Sequence, residues 1–327
     1  MTTVSATPAT EFEDEVYDPA RGVTEVVHLR HFGRWLFAVI LLALCALLVR
    51  AIAGGQIDWA VCRQYLAARV IFQGLWGTLI LSVASLILGA ILGIIFAIMH
   101  LSHNAVTRSV AWFYVWFFRG VPVYLQLLLW FNIALIFPNV NLFGLYHAST
   151  VILMTPFVAA LLGLSINEGA YMAEIVRAGI LSVEQGQSDA AVALGMTPGL
   201  TMRRVVLPQA TRVIIPPIGN EFIGLLKTSS LASVITYSEL MFQAERIYEY
   251  NTRIMEMLFV ATFWYLVTVS VFSIGQYYLE RRFARGSVRA LPETPLQRLR
   301  RNLSLVRLRP ATEYVPSAVS PSPKEGR

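Results

Sequence analysis

Charged residues are scarce in this chain of 327 residues, at 14% against roughly 25% in soluble domains. Hydrophobic residues make up 56%, so too little polar surface remains to cover a water-soluble fold. The only cysteines are Cys45 and Cys62, which does not support a disulfide framework. His100 and His103 share a short polar loop, which is more typical of a solvated turn than of a metal site. No G-x-x-x-x-G-K-[ST] phosphate loop occurs, so the chain cannot itself be a P-loop ATPase.

Apolar runs recur along the chain, and each is long enough to cross a hydrocarbon core of roughly 30 Å. Since water is absent inside a bilayer, such runs must form helices or a closed barrel, and the lack of apolar–polar alternation favours helices. We therefore predict an all-α integral membrane protein with about six transmembrane helices. The expected spans are residues 35–53, 72–99, 109–137, 149–166, 210–226 and 257–279.

The third apolar run is too long for one straight crossing and contains Arg119-Gly120-Val121-Pro122. Pro122 removes a backbone donor, so we expect the helix to break or kink there. Between the first two spans, residues 59–68 are expected to form an interfacial helix. In the second span, Gly89 and Gly93 are spaced for close helix packing.

Basic residues set the expected orientation. His28, Arg30 and Arg34 precede the first span, and arginines from Arg281 to Arg309 follow the last. Cytoplasmic flanks carry such an excess, so we expect a multi-pass protein of the cytoplasmic membrane with both termini in the cytoplasm. The arginine-rich tail is expected to lie near anionic lipid headgroups. A nucleic-acid-binding arm is disfavoured because no aromatic residues are interleaved at regular spacing.

One polar stretch between spans needs a separate explanation. Residues 182–194 favour a helix, and Gly195 follows where a left-handed cap is expected. Thr197 and Pro198 suit the N-cap and first position of a second helix, which would lead to Pro208 and the fifth span. A small helix–turn–helix on the cytoplasmic side is suited to docking in a groove of a soluble partner.

The spacing of this stretch resembles the EAA loop of permease subunits of bacterial ABC importers. That pattern is Glu-Ala-Ala, three residues, Gly, nine residues and Ile-x-Leu-Pro; here Asp189 replaces Glu and Val205 replaces Ile. The matching positions, which the resemblance marks as the ATPase-coupling loop, are Asp189, Ala190, Ala191, Gly195, Leu207 and Pro208.

Further motifs are similar to those of the polar amino acid permeases for histidine, glutamine and glutamate. They are Gly77-Thr78-Leu79, Arg119-Gly120-Val121-Pro122, the segment 168–180, Gly219-Asn220-Glu221-Phe222 and 227–231. The resemblance implies an ATP-driven importer, and we expect the chain to divide into four parts. These are a disordered cytoplasmic tail (1–34), an extra span with an external segment (35–69), the transmembrane domain (70–283) with its coupling loop (182–208), and a basic cytoplasmic tail (284–327).

The resemblance also implies partners. They are a dimer of ATP-binding subunits, which would hold ATP and magnesium, an extracytoplasmic solute-binding protein, and a second permease subunit, identical or related. The chain itself is then expected to have no catalytic residue, no metal and no cofactor, and to contact membrane lipid but no nucleic acid.

Three polar residues near the fifth span are candidates for a substrate pathway: Asn220, Glu221 and Lys227. Polar groups inside a span are costly and often line a pathway, although hydrogen bonding between helices is the rival interpretation for Asn220 and Glu221. Lys227 could instead be a membrane-boundary anchor. The spacing of Glu174 and Arg177 fits a local ion pair.

An ion-gradient-driven secondary transporter is the alternative function. Such proteins are typically built from internal repeats with paired discontinuous helices. No clear repeat is present, and the polar loop has no role in that scheme.

Overall fold

The computed structural model describes residues 32–142 and 146–283, and nearly all of the ordered elements are helices. The expected tails therefore lie outside the described residues, apart from the last three residues of the N-terminal one. The helices are α1 (Phe32–Ala53), α2 (Trp59–Leu66), α3 (Arg69–His100), α4 (Ala105–Gly120), α5 (Val123–Phe131), α6 (Thr150–Leu153), α7 (Pro156–Leu181), α8 (Gln185–Ala193), α9 (Pro198–Thr201), α10 (Leu207–Thr228), α11 (Leu240–Asn251) and α12 (Ile254–Phe283).

The remaining regular elements are short. Strands β1 (Asn139–Leu142) and β2 (Tyr146–Ser149) form an antiparallel hairpin with Asn139 opposite Ser149. Two 3₁₀ segments (Ile133–Leu135 and Ser229–Ile235) follow α5 and α10, and a π-helical turn (Met202–Val206) joins α9 to α10. The prediction of an all-α membrane fold is confirmed.

The membrane spans differ in how apolar they are. Among the described residues, three helices are long and apolar enough to cross a bilayer: Trp35–Ala53 of α1, α3 and α12. Helices α4 and α5 together form a fourth, bent by 101°, at the Gly120–Pro122 break that the sequence predicts. Helices α7 and α10 have 26 and 22 residues, hence lengths of roughly 39 and 33 Å, but they contain more polar residues.

The expected limits of the fourth span were wrong. Thr155 caps α7, its hydroxyl accepting from the Val158 amide at 3.3 Å, and Pro156 occupies the first turn. The helix then continues to Leu181, well past the predicted end at residue 166. Asn167 and Glu168, the first polar residues after 166, are buried within this chain, so they do not require the helix to end.

Helices α3 and α7 pack tightly through small residues. A Cβ on Gly89 would lie 2.8 Å from the Glu168 Cγ, and one on Gly93 would lie 2.9 Å from the Met172 carbonyl carbon. Leu81, Leu127 and other buried apolar side chains from α3, α5, α7 and α10 form the main core beside this contact.

Helix α11 is fixed by Glu239, which lies between the expected fifth and sixth spans and is fully buried. Its carboxylate accepts from the Met241 and Phe242 amides at 2.9 and 2.6 Å, capping α11. It also accepts from the Tyr265 hydroxyl at 2.6 Å and from the Thr78 hydroxyl at 3.4 Å. One carboxylate therefore joins α3, α11 and α12.

The chain divides into two compact units, 1–57 and 58–327. The described part of the first unit is α1 and the short segment that follows it. In the second unit, α2 is joined to α12: the Asp58 amide donates to Glu256 Oε1 at 3.1 Å, and the Trp264 indole donates to the Leu66 carbonyl at 2.9 Å. This boundary differs from the one expected at residue 70 because α2 packs against α12.

Candidate coupling and substrate sites

The polar stretch forms a helix, a tight turn and a second helix. Gly195 has φ of +77°, a left-handed conformation that costs other residues roughly 1–2 kcal/mol. Its amide donates to the Val192 carbonyl at 2.9 Å, and the Met196 amide donates to the Ala191 carbonyl at 3.1 Å. These bonds define a Schellman cap. Gly195 therefore sets the direction in which the chain leaves α8.

The residues of α8 divide into an inward and an outward set. Ala191 is 4% exposed, whereas Asp189 and Ala190 are exposed. The Asp189 carboxylate accepts only from the Gln185 side chain in the described part of the chain, at 3.1 Å. Leu194, at the end of the helix, is 83% exposed. The outer face of α8 thus presents a carboxylate beside small and apolar side chains.

The second helix leads directly into the membrane. Thr197 occupies the N-cap of α9 as expected, but its side chain makes no capping hydrogen bond. The π-helical turn Met202–Val206 follows, and the Leu207 amide donates to the Met202 carbonyl five residues earlier. Leu207 and Pro208 form the first turn of α10. The chain therefore runs without a loop from α9 into the transmembrane helix α10.

The three candidate pathway residues lie on α10 in different surroundings. Asn220 is exposed, and its side-chain amide donates to Glu280 Oε1 of α12 at 3.3 Å, which favours the interhelical interpretation. Lys227 is exposed in the last turn of α10. Glu221 is half-buried.

Glu168 is the functional candidate that sequence analysis missed. It is 5% exposed in the middle of α7, and its Oε1 has no hydrogen-bond partner among the described residues. The signal in the sequence was Gly89, a small residue that faces Glu168 across the α3–α7 contact. Because the fourth span was expected to end at residue 166, Glu168 fell outside the expected span.

The α4–α5 bend is held by an α7 side chain next to Glu168. The Asn167 side chain donates to the Phe118 carbonyl at 2.6 Å. Gln126 donates to the same carbonyl at 3.0 Å and to that of Val121 at 2.8 Å. The Arg119 guanidinium lies 4.9 Å from the centre of the Tyr171 ring. The broken helix therefore places an arginine against α7.

Two other chemical features have simpler explanations. Arg177 and Glu174 form the expected ion pair, with Nη2 2.9 Å from Oε2. Within residues 32–142 and 146–283, no group of three or more His, Cys, Asp or Glu could hold a metal ion.

The sequence of the chain is similar to those of several permease proteins. The chain is 43% identical over 277 residues to the arginine transport system permease protein ArgU of Corynebacterium glutamicum, covering 84% of this chain and 88% of that protein. It is 38% identical to the L-cystine transport system permease protein TcyB of Bacillus subtilis, covering 71% and 94%. It is 37% identical to the glutamate/aspartate import permease protein GltK of Escherichia coli, covering 70% and 99%.

A solved amino acid ABC transporter with histidines is similar in fold, with a TM-score of 0.61 and 35% identity, covering 70% of this chain and all of that chain. A methionine ABC transporter, MetNI, gives a TM-score of 0.54 at 20% identity, covering 66% and 97%. A family model described as the binding-protein-dependent transport system inner membrane component matches residues 89–285. The chain therefore belongs to the inner membrane components of binding-protein-dependent transport systems, which are multi-pass transport subunits.

Proposed function

We propose that this permease subunit imports polar amino acids, and that residues 185–208 transmit the action of a separate ATPase to α10. The observation that carries the proposal is the turn at Gly195, from which the chain runs through α9 and the π-helical turn into α10. Because no loop intervenes between α9 and α10, a displacement of α8 by a partner that crosses the Gly195 turn would be passed along a continuous helical segment into α10.

The exposed face of α8 supports a docking role. Val192 and Leu194 are 59% and 83% exposed, and Asp189 lies on the same short helix. Apolar side chains beside one carboxylate suit a helix that enters a groove in a partner protein. The partner would hold ATP and magnesium; this subunit would supply no catalytic group.

The experiment is ATP-driven uptake by the complete transporter, reconstituted with its ATPase, binding protein and permease partner. Gly195→Pro cannot adopt the positive φ, and Ala191→Glu places a charge in a buried position. Both variants should insert into the membrane and lose most ATP-driven uptake. Gly186→Ala, in open space on the same helix, is the matched control. Normal uptake by both Gly195→Pro and Ala191→Glu would refute the coupling role.

The same vesicles distinguish the ion-gradient alternative. Uptake should proceed with ATP inside and no ion gradient across the membrane, and should stop without ATP. An ion gradient alone should drive none, since the proposed energy source acts through the ATPase. Gradient-driven uptake without ATP would contradict the proposal.

The charges on α7 and at the α4–α5 break support an amino acid as cargo. Glu168, buried with an unpartnered carboxylate oxygen, would attract an amino or guanidinium group. The exposed Arg119, which lies against Tyr171 of α7, would attract a carboxylate. A zwitterion satisfies both, and the arginine named for the ArgU relative carries both kinds of group.

The assembly would contain two permease subunits, two ATP-binding subunits and an extracytoplasmic binding protein, with both termini of this chain in the cytoplasm. A reporter fused to either terminus should resist protease added outside intact cells. Digestion of either reporter would reverse the proposed orientation at that end.

A further inference from the structure

We propose that the groove between α2 and the first turns of α12 is a binding site for an anionic phospholipid, with Arg63 contacting the headgroup phosphate. The groove has a volume of about 470 Å³, within the range of roughly 300–1,000 Å³ typical of ligand pockets. Both of its walls belong to the second compact unit of the chain.

The interior of the groove suits an acyl chain. Cys62 and Val260 are 5% and 1% exposed, and Leu66, Phe259 and Phe263 complete most of the apolar lining. Among the described residues, the polar side chains that line it are Arg63, the Trp59 indole and the Cys62 thiol, and the thiol already donates to the Glu256 carbonyl at 3.8 Å. An uncharged acyl chain would therefore leave few polar groups unsatisfied there.

The position of the groove suits a lipid in one leaflet. Trp59 begins α2 and lies 5.5 Å from Phe259, ring centre to ring centre. Tryptophan is enriched where the membrane meets water. Phe263 lies nine residues into α12, roughly 14 Å along the helix axis from its start. The groove thus extends from the interface into the hydrocarbon region.

The positive charge of Arg63 is the feature that would favour an anionic headgroup. Among the described residues, Arg63 is the only charged one that lines the groove. It is exposed and has no hydrogen bond or ion pair within residues 32–142 and 146–283. The nearby acids are engaged: Asp58 caps α2 through the Ala60 and Val61 amides, and Glu256 accepts from the Asp58 amide and lies 3.6 Å from Arg253. A guanidinium above an apolar groove matches a phosphate above an acyl chain.

The α2–α12 contact is rigid enough to hold such a site. The Trp264 indole donates to the Leu66 carbonyl at 2.9 Å, and the same indole packs edge-on against Phe72 with ring centres 4.8 Å apart. These contacts fix the C-terminal end of α2, while the Glu256–Asp58 bond fixes its start. The groove walls are therefore set by contacts outside the groove.

The test is native mass spectrometry of the complete transporter, titrated in detergent with phosphatidylglycerol or phosphatidylcholine. The wild-type complex should bind phosphatidylglycerol about fivefold more tightly, the effect of one basic residue near anionic lipid. Arg63→Gln should remove this preference and Arg63→Lys should keep most of it. Arg69→Gln is the control, since Arg69 is exposed at the nearby start of α3 but does not line the groove.

Cys62 provides a second measurement that locates the lipid. In a Cys45→Ser background, phosphatidylglycerol should slow maleimide labelling of Cys62 severalfold relative to phosphatidylcholine, and Arg63→Gln should abolish the protection. Equal lipid binding by wild type and Arg63→Gln, or equal labelling in both lipids, would overturn the proposal. If another protein helix fills the groove instead of lipid, lipid binding and Cys62 labelling would also show no difference, and the proposal would be overturned.

Discussion

At the scale of single residues, Glu168 combines burial with an unpartnered carboxylate oxygen. A buried charge is costly unless a partner satisfies it, and inside a membrane such a group is a candidate functional site. The proposed partner is the positive group of the substrate, present only during transport. Replacing Glu168 with an uncharged residue should therefore impair transport without lowering the stability of the protein.

Glu168→Gln is predicted to raise the KM for arginine uptake by about 10-fold or more, since hydrogen bonds to charged groups contribute roughly 1.5–3 kcal/mol. The thermal stability of the complex should stay equal or rise, because a buried charge is removed. Uptake kinetics and thermal unfolding measure the two effects. Glu174→Gln is the control, since Glu174 is already paired with Arg177 and a local ion pair near the surface contributes only about 0–1 kcal/mol. An unchanged KM for Glu168→Gln would exclude Glu168 from the substrate site.

Asn220 is predicted to behave in the opposite way. Its bond to Glu280 joins α10 to α12, so Asn220→Ala should lower the free energy of unfolding by about 1 kcal/mol. The KM for substrate should change little. A KM increase comparable to that of Glu168→Gln would instead return Asn220 to the substrate pathway.

At the scale of helices, the α3–α7 contact depends on the absence of side chains. A Cβ on Gly93 would approach backbone atoms of Met172 and Ala173, at 2.9 and 3.0 Å, and backbone cannot move aside as a flexible side chain can. Gly93→Val is predicted to destabilise the subunit by about 1–3 kcal/mol, as overpacking does. Gly275→Val, with open space in α12, should cost much less. Thermal unfolding of the purified complexes compares the two, and equal losses would contradict the packing argument.

The same scale shows what sequence could and could not predict. Helices α1, α3 and α12 are long and apolar, so their positions follow from hydropathy alone, and Pro122 marks the break between α4 and α5. The end of α7 is predicted too early because hydropathy measures the cost of exposing a side chain to lipid. Glu168 is surrounded by protein instead, and that environment depends on helix pairings that are distant in sequence.

The local turn at Gly195 was predictable because a left-handed cap depends on one residue type. The partner of Asn220 was not, since Glu280 lies sixty residues later on another helix. Short-range geometry can therefore be derived from the sequence here, whereas contacts between spans require the folded structure.

At the scale of the whole molecule, the first unit is separable from the second. The family model begins at residue 89, and the solved amino acid transporter is matched in full by 70% of this chain. Deletion of residues 1–57 is predicted to leave assembly with the ATPase and ATP-driven uptake largely intact. Size-exclusion chromatography and vesicle uptake of the shortened subunit test this. Loss of the assembled complex would show that the first unit is needed for the core to form.

The π-helical turn at Met202–Val206 changes the rotation of α10 about its own axis relative to the docking segment α8. A π turn bonds each amide to the fifth residue before it, so it accommodates one residue more than an α turn. One residue corresponds to about 100° of rotation around a helix. In a relative that lacks one residue between Gly195 and Pro208, α10 would be rotated by about that angle. It would then present a different side to its neighbours. The number of residues in this segment therefore determines which face of α10 points toward its neighbours when a partner moves α8.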